Sequence, residues 1–135
     1  SFALDTASVK LSELSIGIGP FVIGPVVERK IGLAAFSELS INATEWKSAQ
    51  WAHQKGLYSS IYNTEELMDA EFKKLLNTLS NSSIEAMHKM KQMFWEGTAH
   101  WNTLLYDRAA VSGALVLSLK TKVLWIQLLN LHRQD

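Results

Sequence analysis

Glu13 is the residue whose type and surroundings are best suited to chemistry. It is the one acid in the largely apolar run VKLSELSIGIGPFVIG, residues 9–24. Burial among apolar side chains penalises a carboxylate's charge, and a general acid or base that works near neutral pH requires that condition. The residues alone leave two interpretations open. Glu13 is a catalytic acid or base, or it lies at a strand end and pairs with Lys10 or with backbone N–H groups.

Other motifs for phosphate or metal chemistry are weak. Three glycines, at positions 17, 19 and 24, are not spaced as G-x-G-x-x-G, and no G-K-[ST] follows, so they indicate backbone geometry rather than a phosphate loop. The four histidines lack H-E-x-x-H spacing and the chain has no cysteine. We therefore expect neither a metal site nor a disulfide. His53 follows two tryptophans on a predicted helix and is expected to be a packing residue.

The second half of the chain offers three further candidates. Four lysines either gather around an anionic ligand or, as is commoner, form solvated helix faces. The four are Lys73, Lys74, Lys89 and Lys91. Trp95 and Trp101 are expected in a core or an interface. Asp107-Arg108 is interpreted as an ion pair at a subunit contact.

Composition limits the class of protein. The 135 residues suit a single domain, and 47% hydrophobic residues argue against disorder. Thirteen basic and thirteen acidic residues balance, so neither nucleic acid nor an anionic membrane is a predicted partner. The opening SFALDTASVKL lacks the pattern of a signal peptide, and no run of roughly 20 apolar residues spans a bilayer. We expect a soluble, cytoplasmic protein.

Periodicity and capping signals predict a mainly α chain with a few short β-strands (α/β). The strands fall within residues 1–62, a remnant of a sheet-containing core, and residues 63–135 form a helical region. After Pro25 a helix is expected to stop at Gly32, and a second runs over 33–41. Asn42, with Glu45 three residues on, is expected to cap a third helix that ends at Lys55-Gly56. Further helices are predicted over 63–80, over 84–96 and from about residue 98.

The first half of the sequence resembles the crotonase superfamily, the enoyl-CoA hydratases and isomerases. The likeness lies in SVKLSELSIGIGPFVIGPVVERKIG followed by INATEWKSAQWAHQKGLYSSIY. The matching motifs are, in order, Ser12-Glu13-Leu14, Gly17-Ile18-Gly19-Pro20, Ile31-Gly32, Glu38-Leu39, Ala43-Thr44-Glu45-Trp46 and Gly56-Leu57-Tyr58. The resemblance covers roughly residues 2–62, and TLLYDRAAVSG (103–113) extends it more faintly to about Leu117.

This resemblance implies the C-terminal part of a crotonase-like ββα-spiral fold followed by a helical region. Glu13 matches one of the family's two catalytic glutamates, which hydrate or isomerise an enoyl-CoA thioester. Pro20, Phe21 and Val22 then line the acyl side of the site. The acyl-CoA is the substrate, and no further cofactor is implied. The family's first catalytic glutamate and its oxyanion hole belong to a part of the fold that this sequence lacks, so we expect a truncated protein with little or no activity alone.

Two alternatives compete with that interpretation. The chain is a non-catalytic, self-associating helical module, or an unrelated helical binding domain with chance motif matches. The family oligomerises through its C-terminal helices, so a homo-oligomer is expected. The apolar tail VLWIQLLNLHRQD, residues 123–135, does not resemble the family's charged C-terminus. It is either a helix packed on the body or a partner subunit, or an exposed adhesive patch.

Overall fold

The computed structural model describes residues 1–118, 122, 123 and 126. The helices and strands in this part of the chain are, in order, β1 Phe2–Leu4, β2 Ser8–Val9, α1 Gly24–Ile41, β3 Lys47–Ser48, α2 Ala49–Gln54, β4 Ser60–Tyr62, α3 Glu65–Ser80, α4 Ile84–Phe94 and α5 Trp101–Val116. A 3-10 helix, Glu13–Ile16, lies between β2 and α1. The prediction of a mainly α chain with a few short strands is confirmed.

The strands form two pairs. β1 runs parallel to β4, with Phe2 opposite Ser60, and β2 runs antiparallel to β3, with Val9 opposite Lys47. Parallel neighbours need a crossover connection, and here α1, β3 and α2 all lie between β1 and β4. Both pairs join a strand near the start of the chain to a strand within residues 47–62. Strand pairing therefore brings the two ends of the segment 1–62 together.

The core is small and centres on α1. Its buried members are Leu11, Ile31, Ala35 and Leu39, and Leu39 is only 1% exposed. Ala35 and Leu39 are spaced four apart in one continuous segment of α1, which places them on the same face, while Ile31 lies just before the break at Gly32. Four half-buried side chains pack against this cluster: Val27, Phe36, Trp51 and Leu57. Because Leu11 lies two residues before Glu13, the core also fixes where the 3-10 helix begins.

α1 bends at Gly32, as the sequence predicts. Gly32 has φ 76° and ψ 160°, so two helical segments meet there at a non-helical residue. That backbone conformation is open essentially to glycine alone. The bend separates the first segment of α1 from the segment that carries Ala35 and Leu39.

Replacing Gly32 with alanine is expected to lower the free energy of unfolding by about 1–2 kcal/mol, because a Cβ strains this backbone. No atom lies within 4 Å of a Cβ placed there, so the effect is conformational rather than steric. The matched control is Gly113→Ala in α5, which also faces open space. In a helix interior that change is expected to add roughly 0.5–1 kcal/mol. Urea denaturation measures both, and effects of the same sign would contradict this account.

The predicted helix start at Asn42 is wrong. α2 begins at Ala49, and the Ser48 Oγ accepts a 3.1 Å hydrogen bond from the Trp51 N–H. Asn42 instead ends α1, with its N–H donating to the Glu38 carbonyl. Pairing of β3 with β2 overrides the local capping signal, since the residues just before α2 are extended in that pair. The predicted stop is confirmed, because Gly56 has φ 82°.

The last three helices of the described part carry no buried residue. The Thr64 and Ser83 hydroxyls cap α3 and α4, as the polar residues before them suggest. Many large apolar side chains of α3, α4 and α5 are exposed, including Leu67, Phe72, Leu76, Met93, Phe94 and Tyr106.

The predicted domain division at residue 62 stays a prediction. The apolar tail lies outside the described residues, apart from the exposed Val123 and Ile126.

An ion pair ties β3 to α1. The Lys47 Nζ lies 2.9 Å from the Glu38 Oε1 and 3.4 Å from the Glu45 Oε2, and the Lys47 side chain is 17% exposed. The hydrogen bond from Lys47 lowers the pKa of the Glu38 carboxyl below 4.5. The hydrogen bond to Glu38 raises the pKa of the Lys47 ammonium above 10.5. Both charged forms are therefore favoured in the folded chain.

Lys47→Met is expected to lower the free energy of unfolding at neutral pH and to have a smaller effect at acidic and at alkaline pH. The stabilisation from Glu38 is present above pH 4.5 and is lost as pH falls through its lowered pKa. The stabilisation from Lys47 is present below pH 10.5 and is lost as pH rises through its raised pKa. Urea midpoints of the two proteins across this range measure the difference. Lys73→Met, in an exposed pair on α3, is the control and should change little.

Candidate active site around Glu13

Glu13 opens a 3-10 helix rather than ending a strand. β2 stops at Val9, and the helix Glu13–Ile16 is closed by Gly17, whose φ is 83°. The Glu13 carbonyl accepts a 3.1 Å hydrogen bond from the Ile18 N–H. This local turn fixes the Glu13 backbone and leads the chain directly into the loop that follows.

One oxygen of the Glu13 carboxylate is buried and unpartnered. Among the residues that the structure describes, its Oε2 has no hydrogen-bond partner. The proposed pairing with Lys10 is absent, because the Lys10 Nζ lies over the Trp46 ring, 4.5 Å from its centroid. Buried polar atoms are nearly always hydrogen-bonded, so an exception calls for an explanation. A catalytic or ligand-binding role is one such explanation.

The carboxylate lines a pocket of about 380 Å³. Most of the lining comes from the consecutive loop residues 18–23, which include Pro20, Phe21 and Val22. The structure thus brings all four site residues expected from the sequence into one cavity. Whether they act on a substrate stays a prediction. Except for Glu13 and Ser112, the side chains around this pocket are apolar.

The shape of the pocket depends on Gly19. The Phe21 N–H donates to the Gly19 carbonyl at 2.8 Å, a tight turn that folds the Phe21 ring back over Gly19. A Cβ on Gly19 would lie 2.6 Å from the Phe21 Cζ, closer than real contacts allow. The glycine therefore permits a close approach. This close approach supports the geometric role expected of Gly19.

α5 supplies the remaining wall, which sequence reasoning missed. Ser112 lines the Glu13 pocket from a position about 100 residues along the chain. One turn earlier, the Arg108 Nη1 donates to the Phe21 carbonyl at 3.4 Å. Arg108 and Asp107 form no ion pair with each other within the described chain, and their role at a subunit contact stays a prediction. No local pattern marks Ser112, because only the packing of α5 on the loop brings it here.

The other candidates lie outside this site. Lys73 and Lys74 are exposed and pair with Asp69 and Glu71 on their own helix, so they form a solvated face as the commoner interpretation holds. On the next helix, α4, Lys89 and Lys91 are exposed as well. Trp95 and Trp101 pack edge to face, 5.9 Å between ring centroids, where α4 meets α5.

His53 does not pack in the core. His53 is exposed, with its Nδ1 3.1 Å from the Tyr58 carbonyl, so the expected packing role is wrong. Among the described residues, no three His, Cys, Asp or Glu side chains are grouped to hold a metal ion. Within the same residues, no helix has the length and apolar character needed to cross a membrane.

Comparison with solved structures identifies the architecture. An enoyl-CoA hydratase/isomerase from Pseudoalteromonas atlantica T6c superposes with a TM-score of 0.84 over 96% of this chain and 52% of its own, at 13% identity. An enoyl-CoA hydratase from Bacillus halodurans superposes with a TM-score of 0.82 over 91% of this chain and 49% of its own, at 20% identity. The chain has the crotonase fold.

The chain spans about half the length of the solved structures that it matches. No family model matches the sequence, and no curated protein matches it. Some motifs of the sequence resemblance contain a glycine whose backbone conformation this structure uses. Gly32 and Gly56 belong to two of them, and both have positive φ in this crotonase-type structure. The sequence likeness and the superposition therefore agree on the fold.

Proposed function

We propose that this chain provides one acid/base carboxylate and the acyl-side wall of an enoyl-thioester site, with Glu13 as the acid or base. The observation that carries the proposal is the buried, unpartnered Oε2 of Glu13, a residue that lines a pocket whose other side chains, apart from Ser112, are apolar. A carboxylate oxygen without a hydrogen-bond donor is free to exchange a proton with a bound group. The similarity to hydratases in fold supports the choice of substrate class.

The chemistry assigned to Glu13 is proton transfer during hydration or isomerisation of a short enoyl-CoA. Pro20, Phe21 and Val22 present apolar surface to the acyl chain. An enolate also needs donors at the thioester oxygen, and losing one such donor costs about 10²–10³ in rate. The described pocket supplies Glu13 and one serine hydroxyl as its polar side chains. We therefore propose that the chain by itself turns over little or no substrate.

Methyl-resolved NMR with butyryl-pantetheine, an acyl thioester, tests the binding half of this proposal. The methyl signals of Ile18, Val22 and Ile23 are expected to shift, because these residues line the pocket. Those of Leu79 on α3 and Ile84 on α4, both exposed, should stay in place and serve as the internal control.

A second apolar cavity offers the probe an alternative binding site, so the position of the shifts distinguishes the two sites. It has a volume of about 350 Å³ and lies between β1 and α3, lined by Phe2, Met68 and Phe72 among others. Shifts confined to Met68 and its neighbours, or no shift at saturating probe, would contradict the proposed site.

Turnover tests the catalytic half. Hydration of crotonyl-CoA, followed by loss of its enoyl absorbance, is expected to be undetectable with the chain alone. Turnover that disappears in Glu13→Gln would overturn the proposed inactivity and support Glu13 as the acid or base. Turnover that survives in that variant would contradict the role of Glu13.

The exposed apolar side chains favour a second function, self-association. No residue of α3, α4 or α5 is buried, yet their large apolar side chains are numerous. Contiguous exposed apolar surface commonly marks a protein interface. Sedimentation at two protein concentrations should show a discrete oligomer, and a monomer at both would count against this function.

A further inference from the structure

A cavity of about 480 Å³ lies between α1 and α5, away from the Glu13 pocket. Its polar lining consists of Glu28 and Arg29 from α1, Arg108 from α5, and His100, which lies just before α5. The Glu13 pocket shares no lining residue with this cavity. Its volume is in the range of sites for small organic ligands.

Neither guanidinium in this cavity has a counter-ion within the described part of the chain. Arg29 and Arg108 form no ion pair with a carboxylate there. They donate to backbone carbonyls instead. The Arg29 Nη2 lies 2.6 Å from the Phe94 carbonyl oxygen and 3.2 Å from that of Glu96, and the Arg108 Nη1 lies 3.4 Å from that of Phe21. Carbonyls fix the two side chains but leave their positive charges uncompensated.

Both guanidiniums keep free donors for a ligand. A guanidinium has five N–H donors. Arg29 uses only its Nη2 and Arg108 only its Nη1, so the Nε and one further nitrogen remain on each. The His100 ring forms no hydrogen bond to any described residue and adds another polar group. Glu28 is the one carboxylate of the lining against two guanidiniums, so the lining is net positive.

The chemistry of this lining favours a phosphate on an organic body. A phosphate monoester carries about −1.5 to −2 charges at pH 7 and three terminal acceptor oxygens. It can therefore accept from two guanidiniums that come from different helices, whereas one guanidinium fork matches a planar carboxylate. Apolar side chains complete the lining, among them Leu33, Trp101 and Leu104.

We propose that the cavity between α1 and α5 binds a small phosphate monoester, with Arg29 and Arg108 holding the phosphate. Leu33, Trp101 and Leu104 contact its organic part. This site goes beyond the acyl site at Glu13 and does not depend on it, because the two cavities have no lining residue in common. Failure of one proposal leaves the other standing.

Phenyl phosphate, titrated by NMR into the full chain, tests the proposal. The Trp101 indole N–H and the Leu104 methyl signals are expected to shift, and the Leu79 methyls on α3 should not. Phenylacetate, a carboxylate, and benzyl alcohol, which is uncharged, are matched probes and should bind about tenfold more weakly or less, since charged hydrogen bonds are lost. Added salt should weaken the binding of phenyl phosphate.

Variants assign the phosphate to the arginines. Arg29→Gln and Arg108→Gln are each expected to weaken binding of phenyl phosphate about tenfold. Lys89→Gln, at an exposed lysine on α4, is the control and should leave it unchanged. Because both arginines also bind carbonyls, thermal melting checks that each variant folds. His100→Leu breaks no hydrogen bond within the described chain and should still weaken binding about fivefold.

Several results would overturn this site. They are the absence of binding at saturating phenyl phosphate, equal binding of benzyl alcohol, and unchanged affinity in the folded arginine variants or in His100→Leu. Equal binding of phenylacetate would overturn the assignment to phosphate. Shifts centred on the helix that carries Lys73 and Lys74 would place the phosphate on solvated lysines and would contradict the cavity as well.

Discussion

Glu13→Leu is expected to raise the free energy of unfolding by about 1–3 kcal/mol, the usual cost of a buried polar group without a partner. Leucine has a similar volume and suits the apolar side chains of Ile18, Pro20 and Phe21 around the pocket. Proteins commonly sacrifice stability at functional sites, so a gain at this position has a functional meaning. Urea denaturation at neutral pH measures the change.

The matched control for this prediction is Glu85→Leu, at an exposed glutamate in the first turn of α4. That change is expected to fall within about 0.5 kcal/mol of zero. Destabilisation by Glu13→Leu would show that the carboxylate has a structural partner in solution, and the interpretation of Glu13 as an acid or base would lose its main support.

Leu39→Ala is expected to lower the free energy of unfolding by about 2–5 kcal/mol, the usual range for deleting a buried leucine side chain. Leu39 is the largest fully buried side chain in the described part of the chain. Most other buried hydrophobic residues there are alanines, which leave little apolar area to compensate. A loss of this size is a large share of the total free energy of unfolding of a small domain.

Leu33→Ala is the control, because Leu33 lies on the same helix but is 64% exposed. Circular dichroism and urea denaturation measure both variants. Equal effects at the two positions would mean that the core is not centred on Leu39. Because Leu39 and Leu11 share the core cluster, we also expect Leu39→Ala to weaken acyl-probe binding at Glu13.

Local signals in the sequence determined most of the helices and two of their ends. The stop at Gly32 and the end of α2 at Gly56 follow from glycine, whose backbone preference acts over a few residues. The motifs around Glu13 and Pro20 also predicted the fold and the main wall of the pocket, since those residues are close in the chain.

Only the tertiary structure decided what depends on distant contacts. No helix begins at Asn42, because residues 47 and 48 pair as β3 with β2, which lies about 40 positions earlier in the chain. Lys10 faces the Trp46 ring and not Glu13, which leaves the carboxylate oxygen without a partner. Ser112 enters the site because α5 packs against the loop through Arg108 and Phe21. Local propensity cannot encode such contacts, because their partners are specified only when the chain has folded.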